Sequence, residues 1–350
     1  MTRRAKRGGR ARGAPPRRPG RLGLAGLVLI LAAAAVLFVY AAPGPGARTG
    51  AATTVILPPG SGVQKIGAEL KQADVIRSSL VFIAAAKLLP GRTLKAGEYA
   101  IPSHASMARI LAMLRAGEVI RHFVTLPEGL TSAQALAILM SHAELTGAPA
   151  VPPEGSLLPE TYEVERGTSR AAVLERMHQA QTRVLDELWP QRRPDLPFSS
   201  PEQALVLASI VEKETGLPEE RPHVAAVFIN RLRSGMPLAS DPTVVYGISK
   251  GEPLGHGIRQ SELAAATPYN TYHFAGLPPT PICNPGRAAI AAALNPLQSS
   301  DLYFVANGTG GHAFSATLAE HEQNVARWRR IEQGQGAAAA AAQGTPSHGR

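Results

Sequence analysis

An uncharged apolar run, Leu22–Ala42 (LGLAGLVLILAAAAVLFVYAA), constrains this chain more than any other feature. As an α-helix its 21 residues would span roughly 30 Å, the thickness of the bilayer's hydrocarbon core. Residues 1–21 hold nine of the 36 Lys and Arg residues and no Asp or Glu, and no cation follows directly after the run. Positive charge stays on the cytoplasmic side. The pattern predicts a basic cytoplasmic tail at 1–21 and a single transmembrane helix at 22–42.

A cleaved signal peptide is the alternative interpretation of this segment. The motif VYAAPG at residues 39–44 has the small residues of a weak cleavage site. Signal peptides usually carry a shorter apolar region of roughly 7–15 residues. The length of the run therefore favours a membrane anchor, with the rest of the chain on the far side of the membrane.

The net charge of +10 belongs to the tail and not to the body of the chain. Beyond residue 21, 27 basic residues stand against 26 acidic ones. A nucleic-acid partner is therefore not expected. The chain has one cysteine, Cys283, which excludes an intramolecular disulfide and is interpreted as a buried passenger thiol.

Two stretches after the anchor resemble each other. VILPPGSGVQKIGAEL begins at Val55 and VTLPEGLTSAQALAIL at Val124, and each reads as strand, turn and helix. Each is followed by a strand containing a tyrosine, AGEYAI or PETYEV, and by another helix. We predict a linker at 43–54, a small α/β subdomain at 53–121, and a second α/β segment with connecting helices at 122–199.

The remaining region, 200–332, reads as short helices between loops rich in Pro, Gly, Asn and Tyr, which is typical of a domain that uses loops to line a site. Ser200, Pro201 and Gln203 together predict a helix start, and Gly216 predicts its end. The low-complexity residues 333–350 predict a disordered tail. The fold class is α+β.

The helix that ends in ASIVEKETG is apolar nearly all round, so its last turn is expected to lie against protein. Glu212 and Glu214 are about 200° apart on such a helix and cannot form a close carboxylate pair. The bulkier apolar stack lies beneath Glu214, where desolvation would raise the pKa as a general acid requires. The alternative is that Glu214 makes a structural hydrogen bond or ion pair. Glu212 and Lys213 are interpreted as structural or exposed.

Other catalytic patterns are missing from the sequence. It contains no HExxH, no Cys/His cluster with metal spacing, no P-loop and no GxSxG. No metal or cofactor is expected. A lone glutamate among loops with amide, hydroxyl and aromatic side chains suits a carbohydrate polymer as substrate.

Long blocks of the sequence resemble the endolytic murein transglycosylases, membrane-anchored bacterial enzymes that cut peptidoglycan glycan strands. The blocks are LKAGEY (94–99), LPETY (158–162), ASIVEKETG (208–216), EERPHVAAVFINRLRSGMPL (219–238), SDPTVVYG (240–247), YNTYHFAGLPPTPICNPG (269–286) and LYFVANGTGGHAFSATLAEH (302–321). The chain departs from the family pattern at Thr280, Cys283 and Glu322, and none of these departures touches the acid.

The resemblance implies a lysozyme-like catalytic domain in which Glu214, followed by Thr215, acts alone as acid and then base to leave 1,6-anhydro-MurNAc ends. It further implies an enzyme that limits the length of nascent glycan strands. Residues expected to bind sugar hydroxyls or acetamides are Asn230, Asp241, Thr243, Tyr246, Asn270, Tyr272 and His312.

The α/β subdomains resemble LysM-like glycan-binding modules, for which a spacer is the alternative. The implied setting is the inner membrane, with a periplasmic catalytic domain and with penicillin-binding proteins or other cell-wall synthases as partners. Two alternative functions stay open: a non-catalytic scaffold that organises cell-wall synthases, and a hydrolytic muramidase.

Overall fold

The computed structural model describes residues 21–343, and the predicted basic tail at 1–20 lies outside them. Its first element is helix α1 (Arg21–Ala41), one residue displaced from the predicted segment. Leu24–Ala41 is long and apolar enough to cross a membrane, a property that signal sequences share. The rest of the chain divides into two compact units, which meet in sequence at Ile120 and Arg121.

The first unit places an antiparallel strand pair beside three helices. Its elements are β1 (Ala52–Leu57), α2 (Val63–Gln72), α3 (Ser79–Leu88), β2 (Gly97–Pro102) and α4 (Met107–Ala116). The core consists of the inward residues of both strands, such as Leu57 and Tyr99, and of the apolar helix faces, such as Leu70 and Ile110. The start of the predicted linker is bound to this unit, because the Gly44 N–H donates to the His104 carbonyl at 3.2 Å.

The second unit begins with a similar arrangement: β3 (Arg121–Thr125), α5 (Ser132–Ser141), β4 (Thr161–Glu165) and α6 (Arg170–Leu188). Val55 faces Tyr99 in the first strand pair, and Val124 faces Tyr162 in the second. Each tyrosine hydroxyl donates to the carbonyl four residues earlier at 2.8 Å. The strand–turn–helix similarity read from the sequence therefore extends to strand register and to one side-chain hydrogen bond.

The helical part of the second unit follows. Its elements are α7 (Pro201–Glu214), α8 (Arg221–Arg233), α9 (Asp241–Ser249), α10 (Gln260–Leu263), α11 (Arg287–Leu294), β5 (Tyr303–Ala306), β6 (His312–Ser315) and α12 (Leu318–Gln343). Helix α7 lies in the centre of the core and contacts α8, α9 and α11.

The α+β class is confirmed, because the described residues combine helices with three separate two-stranded antiparallel sheets. The predicted disordered tail at 333–350 lies only partly within the described residues. Residues 333–343 are helical here as the last part of α12, in keeping with the high helix propensity of their alanines. Residues 344–350 lie outside the described part.

Candidate active site

Helix α7 carries the candidate acid at its last residue. The helix begins with a capping box: the Ser200 hydroxyl accepts from the Gln203 N–H, and the Gln203 side chain accepts from the Ser200 N–H. Pro201 occupies the first turn, so the predicted start is confirmed. The end comes earlier than predicted, because Thr215 is extended (φ −139°) and the chain leaves the helix before Gly216.

The body of α7 is buried, as its apolar pattern predicts. Every residue from Ala204 to Val211 is buried in the core of the unit. Glu214 follows in the last turn and is only partly buried, so the carboxyl lies against protein while part of the residue remains accessible.

The pKa of Glu214 is raised to about 7, chiefly because burial disfavours the ionised form. A hydrogen bond from Ser240 Oγ to Glu214 Oε1 (2.5 Å) opposes this effect. The negative charge of Asp241 raises the pKa further, and the positive charges of His312 and Arg231 lower it. A carboxyl with its pKa raised in this way can be present in both its protonated and its ionised form near neutral pH.

Ser240 is the direct partner of this carboxyl, and the sequence analysis missed it. It stands at the N-cap of α9, but its hydroxyl makes no capping bond and donates to Glu214 instead. The Ser240 backbone is held on both sides: its N–H donates to Thr271 Oγ1 (3.1 Å), and its carbonyl accepts from Thr243 Oγ1 (2.6 Å). A serine before Asp-Pro reads as an ordinary helix cap, so no local signal revealed this role.

The solvent side of the site is formed by Asp241 and Tyr272. Both are exposed, Tyr272 by 40%. The Tyr272 hydroxyl donates to Asp241 Oδ1 at 2.7 Å. The structure thus brings two of the predicted binding residues together at the mouth of the site, next to Glu214.

His312 reaches the site from strand β6 and is held by Glu220. The Glu220 carboxylate accepts from the His312 N–H at 2.8 Å and lies 2.7 Å from His312 Nδ1. It also accepts from the Thr215 hydroxyl at 3.3 Å. Burial raises the pKa of Glu220, but the bonds from His312 outweigh burial and leave it lowered. Glu220 therefore bonds both to Thr215, the residue after the candidate acid, and to His312.

Arg231 is a second residue that the sequence analysis missed. It lies on α8 and donates to the carbonyls of Leu302 (2.6 Å) and Leu238 (2.7 Å). Its guanidinium lies 5.4 Å from the centre of the Tyr303 ring. Its charge acts on Glu214 from inside the protein, and nothing in the sequence distinguishes it from its neighbour Arg233.

Three predicted binding residues use their polar groups within the protein. Asn230 donates to the carbonyls of Ser299 and Asp301 at 2.8 and 3.0 Å. Asn270 is fully buried and donates to two carbonyls within 263–265. Thr243 is fully buried and holds Ser240 in place. Their observed contacts shape the loops, and sugar contacts at these residues remain predictions.

Tyr246 lines a groove of about 330 Å³ together with Asp241. Its hydroxyl donates to Glu154 Oε2 at 3.2 Å, and its ring meets Tyr269 edge-on at 4.8 Å. The Lys250 ammonium lies over both rings. Tyr246 is only 7% exposed, so it forms the floor of this groove and not its rim.

Glu212 points away from Glu214, as the helical geometry predicts. Its side chain is 4% exposed and forms an ion pair with Arg221 at 2.9 Å. It also accepts from the Gly286 N–H at 2.9 Å. Lys213 is exposed and donates to the Gly129 carbonyl. Glu212 was expected to be either structural or exposed, and these contacts show that it is structural.

The remaining candidate groups are structural. Cys283 is buried and donates to the Ser209 carbonyl, and burial raises the pKa of its thiol well above the usual range. Across the described part of the chain, no three His, Cys, Asp or Glu side chains are grouped so that they could hold a metal ion.

Comparisons with known proteins identify the family of this chain. The model of the YceG-like family matches residues 55–327. A protein named endolytic murein transglycosylase from Streptococcus pneumoniae (strain D39) is 31% identical over an aligned length of 323 positions, gaps included, and the match covers 78% of this chain. The chain spans 58% of the length of that relative. A Bacillus subtilis protein of the same name is 29% identical over an aligned length of 300 positions, gaps included, and the match covers 76% of this chain and 82% of the relative.

A solved structure of a YceG-like protein from Listeria monocytogenes is 30% identical, with a TM-score of 0.48, and the match covers 77% of this chain and 98% of that one. The family match runs from strand β1 into helix α12 and includes every site residue described above. Because it spans well over half of the sequence, the chain belongs to the YceG-like family.

Proposed function

We propose that this protein is an endolytic peptidoglycan transglycosylase that cleaves the MurNAc–GlcNAc bond inside glycan strands. The name that the Streptococcus and Bacillus relatives share supports this reaction class. The observation that carries the proposal is Glu214: a desolvated carboxyl whose pKa is raised to about 7, hydrogen-bonded to a hydroxyl and partly accessible.

In the first step, protonated Glu214 donates its proton to the oxygen that links the two sugars. The bond between that oxygen and C1 of MurNAc breaks, and the oxygen leaves as the 4-hydroxyl of GlcNAc. The acetamido group of MurNAc stabilises the positive charge that develops at C1. A carboxyl with a pKa of about 7 is suited to this donation, because a large fraction is protonated at neutral pH.

In the second step, ionised Glu214 removes the proton from the 6-hydroxyl of the same MurNAc. The 6-oxygen bonds to C1 and closes the 1,6-anhydro ring. Glu214 regains its proton and no water is consumed. One carboxyl performs both proton transfers, which differs from the paired carboxylates of most glycosidases.

The neighbours of Glu214 have distinct proposed roles. Asp241 and Tyr272 lie at the exposed mouth, where a carboxylate and a phenol suit the hydroxyls and acetamides of a sugar chain. His312, held by Glu220, is a further polar group near the carboxyl that could contact the sugar chain. Ser240 keeps the carboxyl oriented and prevents its pKa from rising further.

The setting of the reaction is part of the proposal. Helix α1 would anchor the chain in the inner membrane, with the basic tail in the cytoplasm and both units in the periplasm, beside the peptidoglycan layer. The LysM-like interpretation assigns the first unit to holding the glycan strand, and the helical part of the second unit is expected to be lysozyme-like. Cleavage there would limit the length of nascent strands, in association with cell-wall synthases.

Glu214→Gln tests the function directly. Gln keeps the shape and the ability to accept from Ser240 but cannot deliver a proton, so release of anhydro-ended fragments from purified sacculi should fall by about a hundredfold or more. The matched control is Glu202→Gln, an exposed glutamate in the first turn of the same helix. Fragment release by Glu214→Gln at the rate of the unmodified protein would refute the catalytic assignment and favour the scaffold.

Hydrolysis by the same site is the second candidate, favoured by one observation. The carboxylate of Asp241 is close enough to raise the pKa of Glu214, so a second acidic group stands near the acid. Paired carboxyls are the usual arrangement for hydrolysis with water as nucleophile. Mass spectrometry of the product ends distinguishes the two reactions, because hydrolysis leaves reducing ends heavier by one water.

A further inference from the structure

The C-terminal end of helix α1 packs directly on the first unit. Val39 and Tyr40 lie against its hydrophobic core, and α1 contacts both α3 and α4. Pro43, two residues after the helix, is also fixed, because the Arg77 side chain donates to its carbonyl at 3.1 Å. Any bilayer that α1 crosses therefore ends within a few residues of this unit.

Helix α3 presents an apolar stripe on its outer face. Leu80, Ala84 and Leu88 are exposed at a spacing of four residues, which places them on one side of the helix. Leu88 is 81% exposed and Leu80 77%, more than any large apolar side chain described in α1. Leu89 extends the stripe at 41% exposure. Apolar side chains exposed together in this way mark an interaction surface.

The stripe is held rigidly at its C-terminal end. Arg115 of α4 donates to the carbonyls of Ala86, Leu89 and Pro90 at 3.3, 2.9 and 3.0 Å. These bonds satisfy carbonyls at the end of α3 that would otherwise need solvent. The apolar side chains therefore stay on the surface because the backbone beneath them is fixed, and not because the segment is loose.

The segment that carries the stripe holds charged residues of one sign. Between Asp74 and Glu98 the sequence contains four basic residues, Arg77, Lys87, Arg92 and Lys95, and no acidic one. Lys87 is exposed on the same face of α3 as the stripe, and Arg92 is exposed just beyond it. Apolar side chains flanked by cations fit a bilayer interface, where the apolar groups enter the acyl boundary and the cations meet lipid phosphates.

We infer that the α3 stripe (Leu80, Ala84, Leu88 and Leu89) is a membrane-docking surface that inserts into the same bilayer leaflet from which α1 emerges. The inference rests on the proposal that α1 spans the membrane. The first unit would then lie on the bilayer through two contacts, the end of α1 and the α3 stripe, and would not swing on a free tether. Two contacts fix the orientation of the unit, which one flexible linker cannot do.

Lipid quenching of single-site probes tests this inference on the full chain. The protein is reconstituted at one copy per nanodisc with anionic lipid, and a small fluorophore is attached at L80C, L88C, I56C or L37C. The native Cys283 is buried and does not compete for the label. Ile56 is the matched control, an apolar residue of the same unit that is 48% exposed on β1, and Leu37 reports on α1.

With spin-labelled lipid we expect quenching at L80C and L88C at least twofold above that at I56C, with strong quenching at L37C. Equal quenching at L80C, L88C and I56C, with L37C strongly quenched, overturns the docking surface and leaves the anchor intact. Absence of quenching at L37C overturns the anchor, and the docking surface with it. Because each disc holds one copy, contact between two chains cannot produce the expected signal.

Discussion

Ser240→Ala is expected to raise the pKa of Glu214 and to move the alkaline limit of cleavage to higher pH. The Ser240 hydroxyl donates to Glu214 Oε1 at 2.5 Å and favours the ionised carboxyl. A hydrogen bond to a charged group contributes about 1.5–3 kcal/mol, and one pKa unit corresponds to about 1.4 kcal/mol. Since the bond to the protonated form is lost as well, the net change is about one unit, from a pKa of about 7 to about 8.

The sign of the effect follows from the proposed acid role. In the proposed mechanism cleavage requires protonated Glu214, so the rate is expected to fall as the carboxyl ionises. At pH 8 about a tenth of the molecules carry the proton when the pKa is about 7, and about half do when it is about 8. The ratio of the rate at pH 8 to the rate at pH 6 should therefore be about fivefold higher in Ser240→Ala.

The assay is release of anhydro-ended fragments from purified sacculi, followed by mass spectrometry from about pH 5 to pH 9. Ser249→Ala is the matched control, because Ser249 lies at the other end of α9 and its hydroxyl donates to the Val245 carbonyl. The reasoning would be refuted if the cleavage rates of Ser240→Ala and of the unmodified protein fell at the same alkaline pH, whatever the absolute rates.

Three further predictions concern the carboxyl groups around α7. Because the folded-state pKa of Glu214 lies above its ordinary value, its ionisation destabilises the fold, and stability is lost as pH rises from about 4.5 to about 7. Glu214→Gln should therefore be more stable than the unmodified protein by about 3 kcal/mol at pH 8 and equally stable near pH 4, measured by denaturant unfolding. Glu212→Gln should lower stability by about 3 kcal/mol, because it leaves Arg221 without its most buried partner, while specific activity of the folded protein is retained. Glu220→Gln should lower the cleavage rate by up to about a hundredfold, because His312 loses the carboxylate that holds it in place. The imidazole NMR resonance of His312 should shift in this variant, and an unshifted resonance would contradict the prediction.

Local chemistry made α7 predictable. The capping box at Ser200 and Gln203 and the nearly all-round apolar pattern depend on residues close in sequence, and both were found as expected. The opposite directions of Glu212 and Glu214 follow from 100° per residue alone. The two strand–turn–helix segments were also readable, because strand alternation and helical spacing are short-range patterns.

The partners of the acid were not predictable in the same way. Ser240 is 26 residues from Glu214 in sequence, and Glu220 is 92 residues from His312. Which hydroxyl or carboxylate meets a given group depends on how the helices and loops pack, and a single sequence does not report that packing. The buried positions of Asn270 and Thr243 have the same origin, since the loops that the sequence assigned to sugar binding also need polar side chains to hold themselves together.

The last turn of α7 shows why a charged residue at a helix end does not indicate its own role until the groups that contact it are known. Burial raises the pKa of both Glu212 and Glu214, so desolvation alone does not separate them. Glu212 meets the Arg221 guanidinium and the Gly286 N–H at 2.9 Å, and both favour its ionised form. Glu214 meets the hydroxyl of Ser240, a weaker stabiliser of negative charge, and the charge of Asp241 opposes its ionisation. The two carboxyls, only two residues apart, therefore differ in their properties: Glu212 is an ion-pair partner that stabilises the fold, and Glu214 is an acid that can exchange its proton near neutral pH. Groups from other segments of the chain produce this difference.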